Sequence, residues 1–391
     1  MTNAIILVGG SVWDAASRTF QAGLDVSCAD GRIVAVGPAL PRPDGASVID
    51  CTGKYVLPGL IDCHVHITSN GNPVELNTLR NDSPSVRAWK AAENARRTLH
   101  AGFTTVRDLG AAEALNVQMA NAIEAGLIVG PNILAAGMGV TMTGGHGHGF
   151  IAREADGPDE VRKAVREQLR AGARAIKLFA SGGVLTPGVN PRSPSFTEAE
   201  MAAGVEEAHK AFRIVGAHAQ ATEGIKNAIR AGVASIEHAT LIDDEGIALA
   251  KQHGTFLDMD IYDEECIQSS PNTPADFLQH DQDLAAAQRL NFTKAVTAGV
   301  RMTFGTDAGV CPHGINARQF AFMVKYGMTP MQAIQSATVN AAELIGHPEL
   351  FGSITAGKSA DIIAVTGDPL ADIRVLEDVR FVMKEGQVYK Q

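Results

Sequence analysis

Two histidines separated by one residue stand at the end of a short apolar run, LIDCHVHI, at residues 60–67. Side chains two positions apart on a β-strand leave the same face, so His64 and His66 would project together. Two imidazoles at this spacing can bind one divalent cation. The HxH pattern alone is weak evidence, and its position at the end of a strand strengthens it.

Four further polar residues stand near the ends of other apolar runs: Lys177 in AIKLFAS, His218 in IVGAHAQ, His238 in SIEHAT and Asp307 in MTFGTDAG. Any one of them alone could be a hydrogen-bonded core residue or a surface group. Lysine and aspartate are seldom fully buried without a partner. If these runs are strands of one barrel, their carboxyl ends meet at one rim, and the polar residues form one constellation with the HxH pair.

Lys177 needs a separate explanation because an ammonium group has no lone pair and repels metal ions. An amine that has reacted with carbon dioxide becomes a carbamate, an anionic ligand whose two oxygens can bridge two cations. Four histidines, a carbamate on Lys177 and Asp307 would then hold two divalent ions, with zinc expected. A hydroxide bridging the ions would be a nucleophile near neutral pH. Asp307 could accept the proton of that hydroxide.

The elements that must position these residues alternate regularly. Eight short apolar runs, separated by helix-like stretches, cover residues 60–67, 104–110, 131–140, 175–181, 214–220, 235–240, 255–262 and 302–309. Several helix-like stretches end in Ala-Gly or His-Gly, where glycine ends a helix in the left-handed conformation. The pattern predicts an α/β fold with a (β/α)8 TIM barrel over residues 58–349.

Residues 1–57 and 350–391 are rich in short β-type runs and turn signals. Asp-Gly and Thr-Gly pairs between the runs are typical of hairpins. The two terminal segments resemble each other more than either resembles the middle of the chain. We therefore expect one small β-sandwich domain built from both termini.

Composition limits the class of protein. The 391 residues carry a formal charge of −10, which offers no basic surface for nucleic acid. The N-terminal run reads as a strand and not as a secretory signal, and no window approaches the ~18 apolar residues of a membrane span. We expect a cytoplasmic homo-oligomer that acts on a small molecule, with neither nucleic acid nor a membrane as a partner.

Two groups of residues receive a plain structural interpretation. The five cysteines are scattered and odd in number, which predicts reduced thiols: Cys28, Cys51, Cys63, Cys266 and Cys311. An acid-rich run around the end of the seventh strand could attract a basic substrate side chain, but a solvated surface loop is the favoured interpretation: Asp258, Asp260, Asp263, Glu264 and Glu265.

The segments PGLIDCHVH, ASGG after Lys177, IEHAT and GTDAG resemble the metal-site strands of the amidohydrolase superfamily. The resemblance covers almost the whole chain, including GSITAGKSADIIAVTGDPL near its end. It is greatest to imidazolonepropionase-like enzymes of the Xaa-Pro dipeptidase type, a group with dipeptide carboxypeptidases and ochratoxin-hydrolysing amidases. The resemblance implies that six residues bind metal, and the lysine implies a binuclear, peptidase-like member: His64, His66, Lys177, His218, His238 and Asp307.

The resemblance also implies residues that contact substrate. In TGGHGHG, His146 matches a histidine that contacts the substrate carbonyl, although His148 is an alternative and a flexible glycine loop is the plain interpretation. Tyr262 matches a tyrosine associated with the transition state, or is simply a half-buried aromatic. The loop containing His313, Gly314 and Asn316 is expected to line the barrel mouth, and Gln319 stands where the resemblance predicts glutamate.

These observations predict a hydrolase that cleaves the amide bond of dipeptides or N-acyl amino acids with a free C-terminal carboxylate. Candidate donors to that carboxylate are His146 or His148, Arg192 and Arg318. One alternative is hydrolysis of another amide, a lactone, a carbamate or a xenobiotic on the same metals. A more distant alternative is a scaffold that has kept the fold and lost its activity.

Overall fold

The computed structural model describes residues 4–42, 44–70, 82–270, 273 and 275–391. Its strands, in chain order, are β1 Ile5–Asp14, β2 Thr19–Ala29, β3 Arg32–Gly37, β4 Ser47–Asp50, β5 Lys54–Pro58, β6 Leu60–Val65, β7 Phe103–Asp108, β8 Asn132–Ala135, β9 Gly139–Thr141, β10 Ala152–Glu154, β11 Ala175–Phe179, β12 Ile214–Ala219, β13 Ser235–His238, β14 Phe256–Asp258, β15 Met302–Thr303, β16 Ile362–Thr366, β17 Val379–Lys384 and β18 Gln387–Lys390.

Helices separate most of the central strands. The α-helices span Pro84–His100, Leu115–Glu124, Gly157–Ala171, Glu198–Lys210, Thr222–Arg230, Asp244–His253, Asp263–Ser269, Ala275–Ala298, Arg318–Lys325, Pro330–Ser336 and Val339–Leu344. Within the described residues, no helix has both the length and the apolar character needed to cross a membrane.

Strands from both ends of the chain form one eight-stranded sheet in the order β18-β17-β16-β5-β1-β2-β3, with β4 paired to β1. The hairpin between β2 and β3 turns at Asp30 and Gly31, whose φ angles are 49° and 75°. Both central residues of such a turn are left-handed, which explains the Asp-Gly pair. The pairing joins both termini in one sheet; a sandwich of two sheets and the domain boundaries at 57 and 350 stay predictions.

All eight apolar runs of the central region contain strands, and these pair in parallel. β6, β7 and β8 form one sheet, while β10-β9-β11-β12-β13-β14-β15 form another. The strands are shorter than predicted: the third run is divided into β8 and β9, and the eighth contains only Met302–Thr303. The α/β class is confirmed. In the part of the chain that the structure describes, the regular ladders form two parallel sheets and do not close into one barrel.

Single backbone hydrogen bonds span the gaps between these two sheets. The amide of Arg174, the residue before β11, donates to the carbonyl oxygen of Ala135, the last residue of β8, at 2.8 Å. On the other side, the amide of Cys63 donates to the carbonyl oxygen of Phe304 at 2.8 Å, and the amide of His66 donates to that of Ala308 at 2.6 Å. β6 therefore lies beside the segment after β15. These contacts bring the carboxyl ends of the first and eighth runs together.

Helix ends follow the signals in the sequence. The helix Glu198–Lys210 begins with a capping box in which Thr197 and Glu200 satisfy each other's backbone amides. The helix Gly157–Ala171 ends at Gly172 with φ of 100°. Since an L-residue rarely adopts this conformation, the Ala-Gly pair fixes the end of the helix.

The expectation of five reduced cysteines is wrong. Cys266 and Cys311 form a disulfide, while Cys28, Cys51 and Cys63 are free and buried. The bonded cysteines are 45 residues apart in sequence, so their spacing gave no signal. They meet because the helix Asp263–Ser269 and the segment after β15 lie side by side.

Candidate metal centre

The six predicted ligands converge at one end of the parallel strands. His64, Lys177, His218 and His238 lie in β6, β11, β12 and β13, and His66 and Asp307 follow β6 and β15. Neighbouring strands hold them in register, since Phe179 pairs with His218 and Ala219 pairs with His238. Parallel strands present their carboxyl ends to the same side, which explains the convergence.

Asp307 is close to both histidines of the HxH pair. Its Oδ1 lies 3.5 Å from Nε2 of His64 and 3.3 Å from Nε2 of His66. The His238 ring centroid is 5.1 Å from that of His64 and 4.6 Å from that of His218. The possible ligand atoms of His64, His238 and Asp307 all lie within 4.8 Å of one another, which is close enough to share an ion.

Hydrogen-bond partners at Nδ1 orient two of the histidine rings. Nδ1 of His66 lies 2.8 Å from the carbonyl oxygen of Gly110, and Nδ1 of His238 lies 2.7 Å from Oδ2 of Asp260. Hydrogen bonds of this kind fix the tautomer and the direction of a metal-binding imidazole. Asp260 is completely buried.

Three atoms of the set fit the requirements of a cation site. Nδ1 of His64, Nζ of Lys177 and Oδ1 of Asp307 are buried and have no hydrogen-bond partner among the described residues. Leaving a buried polar group unsatisfied is costly. Burial holds the pKa of His64 well below its usual range, so its imidazole is neutral and keeps a lone pair for a metal.

Among the six candidate ligands, Lys177 is the least expected, because a lysine is seldom buried without a hydrogen-bonded partner. The side chain is 1% exposed, and burial lowers its pKa to about 8. A lower pKa increases the fraction of neutral amine, which is the form that reacts with carbon dioxide. As an ammonium the group does not fit a cation site; as a carbamate it does.

The backbone is strained at two candidate ligands. His238, its neighbour Ala239 and Asp307 have φ angles of 66°, 48° and 50°. A left-handed conformation at a residue other than glycine costs on the order of 1–3 kcal/mol and persists where the surroundings enforce it. The strain therefore coincides with side chains that must be aimed at one point.

A buried charged cluster beneath the centre was missed by the sequence reasoning. Arg107 is fully buried, and its guanidinium donates to both oxygens of Glu237 at 3.0 and 3.1 Å, to Ser235 and to the carbonyl of Cys63. Asp258 lies 3.8 Å from Arg107. The available signal was a charged residue inside each of the apolar runs TTVRDLG, SIEHAT and TFLDMDIY.

The predicted substrate-contacting residues separate into two groups. The His146 ring is 4.5 Å from that of His218, and its Nδ1 lies 2.7 Å from Oγ1 of Thr186. Tyr262 lies apart from the histidines: its hydroxyl is 3.2 Å from Arg318, and its ring packs against Phe322 at 5.1 Å between centroids. The structure thus brings His146 to the candidate ligands, whereas Tyr262 lines neither of the cavities beside them.

Side chains of the segment after β15 make hydrogen bonds in the protein interior. Gln319 is fully buried and contacts the amide of Tyr262 and the carbonyls of Met259 and Gly305 at 2.8–3.0 Å. Asn316 donates to Asp62 at 2.8 Å. Gln319, which stands where the resemblance predicts glutamate, therefore joins neighbouring chain segments in the interior, and the expectation that the loop with His313, Gly314 and Asn316 lines the mouth stays a prediction.

Two cavities open beside the candidate ligands. Four residues line both cavities: His146, Leu185, Asp307 and Val310. One, which we call the histidine lobe, is also lined by His66, Ser69, Gly147, His148, Phe150, Ile151, Thr186, Pro187 and Gly309. The other, which we call the acidic lobe, is also lined by Val184, His218, Gln220, His238, Thr240, Asp263, Glu264, Ile267, Asp281, Leu284, Ala285 and Gln288.

The acidic lobe corrects the interpretation of the acid-rich run as a solvated loop. Asp258 and Asp260 are fully buried, Glu264 is 3% exposed, and Asp263 is partly buried; only Glu265 is exposed. Burial raises the pKa of Glu264 to about 8. These residues face inward because the chain turns into the helix Asp263–Ser269 directly after β14.

A family model described as "Amidohydrolase family" matches residues 55–389. Ochratoxinase of Aspergillus niger is 34% identical over 372 residues, which cover 86% of this chain and 75% of that protein. The crystal structure of a Xaa-Pro dipeptidase with bound methionine in the active site is 34% identical, has a TM-score of 0.91 and covers 100% of both chains. A prolidase complexed with n-methylphosphonate-l-proline is 31% identical with a TM-score of 0.92, also over 100% of both chains.

Proposed function

Since the chain belongs to the amidohydrolase family, we propose that it is a metal-dependent hydrolase of dipeptides or N-acyl amino acids with a free C-terminal carboxylate. The observation that carries this proposal is the convergence of six candidate ligands, three of which have buried atoms without a hydrogen-bond partner in the described chain. The similar dipeptidase and prolidase structures support an amide substrate.

Two divalent ions, with zinc expected, would be held by six side chains: His64, His66, Lys177 as a carbamate, His218, His238 and Asp307. Bound ions would lower the pKa of a coordinated water and polarise the amide carbonyl. Nε2 of His218 lies 2.8 Å from the carbonyl oxygen of Gly182, a contact that a tautomer or rotamer change would have to release for metal binding through that atom.

The chain's own groups would handle the proton and the substrate. Asp307 has a buried oxygen without a hydrogen-bond partner in the described chain, and it can accept the proton of the attacking water. His146 lies beside His218 and borders both lobes, so it can donate to the substrate carbonyl. A role for Tyr262 stays a prediction, which requires its hydroxyl to leave Arg318.

The substrate carboxylate would occupy the histidine lobe. A buried unpaired carboxylate is costly, and the acidic lobe would repel it. His146 and His148 line the histidine lobe, whereas Arg192 is exposed and Arg318 contacts Tyr262 and approaches Glu377 at 4.0 Å. Since Nδ1 of His146 contacts Thr186 and its other nitrogen is assigned to the substrate carbonyl, His148 is the favoured donor to the carboxylate.

Matched acid and amide substrates test this assignment. We expect Ala-Met and Ala-Pro to be cleaved about tenfold to a hundredfold more efficiently than their C-terminal amides, because a charge-assisted hydrogen bond contributes about 1.5–3 kcal/mol. The measurement is kcat/KM for each pair with metal-loaded protein. Equal values would favour the alternative of a hydrolase acting on another amide, a lactone, a carbamate or a xenobiotic, to which the similarity to ochratoxinase also points.

Metal content tests the centre itself. Six ligands with a bridging carbamate should hold close to two divalent ions per chain, measured by elemental analysis of metal-replete protein. His66→Ala should lower this content and the activity, and His209→Ala, an exchange in the helix Glu198–Lys210 outside the site, is the matched control. Wild-type protein with no tightly bound ion and no activity would favour the scaffold alternative.

The cytoplasmic location and the homo-oligomer stay predictions. Sedimentation of the purified protein measures the oligomeric state directly, and a monomer at all concentrations would contradict that expectation.

A further inference from the structure

Besides the candidate ligand Asp307, three carboxylates line the acidic lobe: Asp263, Glu264 and Asp281. Among the described residues, no lysine or arginine lines this lobe. One guanidinium approaches a member of the set, since Nη2 of Arg289 lies 2.7 Å from Oε2 of Glu264, but it is shared with Glu265 at 3.0 Å. The lobe therefore brings several carboxyl groups together next to the metal centre with little compensating positive charge.

Buried acceptor atoms without partners line the same lobe. Within the described chain, Oε1 of Glu264, the amide oxygen of Gln220 and the hydroxyl oxygen of Thr240 are buried and make no hydrogen bond, whereas Oε2 of Glu264 pairs with Arg289. Glu264 and Thr240 are 3% and 2% exposed. Unsatisfied buried acceptors are rare in folded proteins, and several in one cavity indicate a ligand that donates hydrogen bonds.

Part of the remaining wall of the lobe is aliphatic. Ile267, Leu284 and Ala285 lie beside the carboxylates. Methylene groups pack favourably on such a surface while a charged end reaches polar partners. An ammonium group on an alkyl chain provides three donors, no acceptor and one positive charge, which matches each of these features.

We propose that the acidic lobe binds an ammonium group on the acyl side of the scissile amide, opposite the carboxylate side in the histidine lobe. This inference rests on the proposed function and narrows it from N-acyl amino acids in general to cationic acyl groups. The two lobes meet at His146 and Asp307, so a dipeptide crossing the centre would direct its positive and negative ends to opposite lobes.

The ammonium can come from the amino terminus of a dipeptide or from a basic side chain. A possible ligand atom of Asp263 lies within 4.8 Å of those of His238 and Asp307, close to where the scissile carbonyl must sit. That position suits an amino-terminal ammonium, which is attached to the carbon next to the carbonyl. Glu264 and Asp281, together with the aliphatic wall, suit a side-chain ammonium.

Four substrates with the same six-carbon acyl chain separate these sources: N-hexanoyl-, L-norleucyl-, 6-aminohexanoyl- and L-lysyl-L-methionine. The norleucyl compound adds only the amino-terminal ammonium, and the 6-aminohexanoyl compound adds only the distal one. We expect kcat/KM to be at least about tenfold higher for one or both than for the hexanoyl compound. Equal values for all four would overturn the inference and leave the proposed function intact.

Glu264→Gln removes a carboxyl group that can ionise opposite an ammonium, while keeping the shape of the side chain. We expect it to reduce the preference for the cationic substrates, expressed as a ratio to the hexanoyl compound in the same variant. Glu265→Gln is the matched control, because Glu265 also pairs with Arg289 but is exposed and does not line the lobe. If Glu264→Gln does not fold, Asp281→Asn tests the same ratio; an unchanged ratio in the folded variants contradicts the inference.

Calorimetry keeps the inference testable if no substrate is cleaved, which would refute the proposed function. Lysine, norleucine, 6-aminohexanoate and hexanoate are titrated into metal-loaded protein, and tighter binding of the ammonium compounds supports the lobe assignment. Equal or absent binding overturns it. A third divalent ion per chain that is lost in Glu264→Gln would also overturn it, because the lobe would then be a metal site.

Discussion

Lys177 shows how burial changes the chemistry of one residue. It lies in the interior of β11 between Ile176 and Leu178, and its nitrogen has no hydrogen-bond partner in the described chain. Lys226 is also buried, but its ammonium pairs with Asp243 at 2.8 Å and Glu245 at 2.6 Å. Lys226 is therefore buried in direct ion pairs, whereas Lys177 has carboxylates in its surroundings but no hydrogen-bonded counter-charge in the described chain, which requires another explanation.

We expect Lys177→Ala to lower both the metal content and kcat/KM, because a bridging ligand is lost. Removal of a residue that only orients a ligand costs about 10–100-fold, so loss of the ligand should cost about a hundredfold or more. Acetate or propionate should restore part of the activity by filling the vacated space. Lys226→Ala is the control and should keep its metal. Full metal content in Lys177→Ala would contradict the carbamate assignment.

At the scale of elements, a disulfide fixes the wall of the acidic lobe. It joins Cys266 in the helix Asp263–Ser269 to Cys311 in the segment after β15. That helix contributes Asp263 and Glu264 to the lobe, and the segment around Cys311 begins with Asp307. The cross-link therefore ties the proposed ammonium site to a candidate metal ligand.

We expect the Cys266→Ala, Cys311→Ala double variant to lose about 2–4 kcal/mol of unfolding free energy, because the bond restricts the unfolded chain. Denaturant titration measures this value. A reducing agent should destabilise the wild-type protein by a similar amount and leave the double variant unaffected. Equal sensitivity of both proteins to the reducing agent would mean that the bond contributes nothing.

At the scale of the whole molecule, buried charges connect strands that are distant in sequence. Arg107 on β7 contacts Cys63 on β6 and Ser235 and Glu237 on β13. Both Arg107 and Glu237 are completely buried. A buried ion pair need not stabilise a fold relative to an apolar replacement of both partners, but removing one partner leaves an uncompensated charge.

Arg107→Met should therefore destabilise the protein by about 3–5 kcal/mol. Arg96→Met is the matched control: Arg96 pairs with Glu93 at 2.9 Å on an exposed helix surface, where the loss should stay below about 1 kcal/mol. Thermal or denaturant unfolding compares the two variants. Similar losses for both would show that Arg107 and Glu237 are not paired in the interior.

The sequence by itself determined the elements and the candidate ligands. Apolar runs with polar residues at their ends identified the central strands other than β10, because burial and strand periodicity are local properties of the chain. His64 and His66 share a face for the same reason, and the glycine and capping signals fixed helix ends. Strand lengths were overestimated, since the apolar runs continue past the ends of the paired strands, for example to His66 after β6 and Asp307 after β15.

Only the tertiary structure determined which residues contact one another across long distances in sequence. Arg107 and Glu237 are 130 residues apart, Cys266 and Cys311 are 45 apart, and neither pair is visible as a motif. The acid-rich run reads as solvated because carboxylates usually are; its burial depends on the packing of the helix Asp263–Ser269 against the rest of the chain. Gln319 likewise turns inward because unpaired backbone groups of neighbouring segments need partners there. Long-range packing, which no local pattern encodes, thus created the acidic lobe.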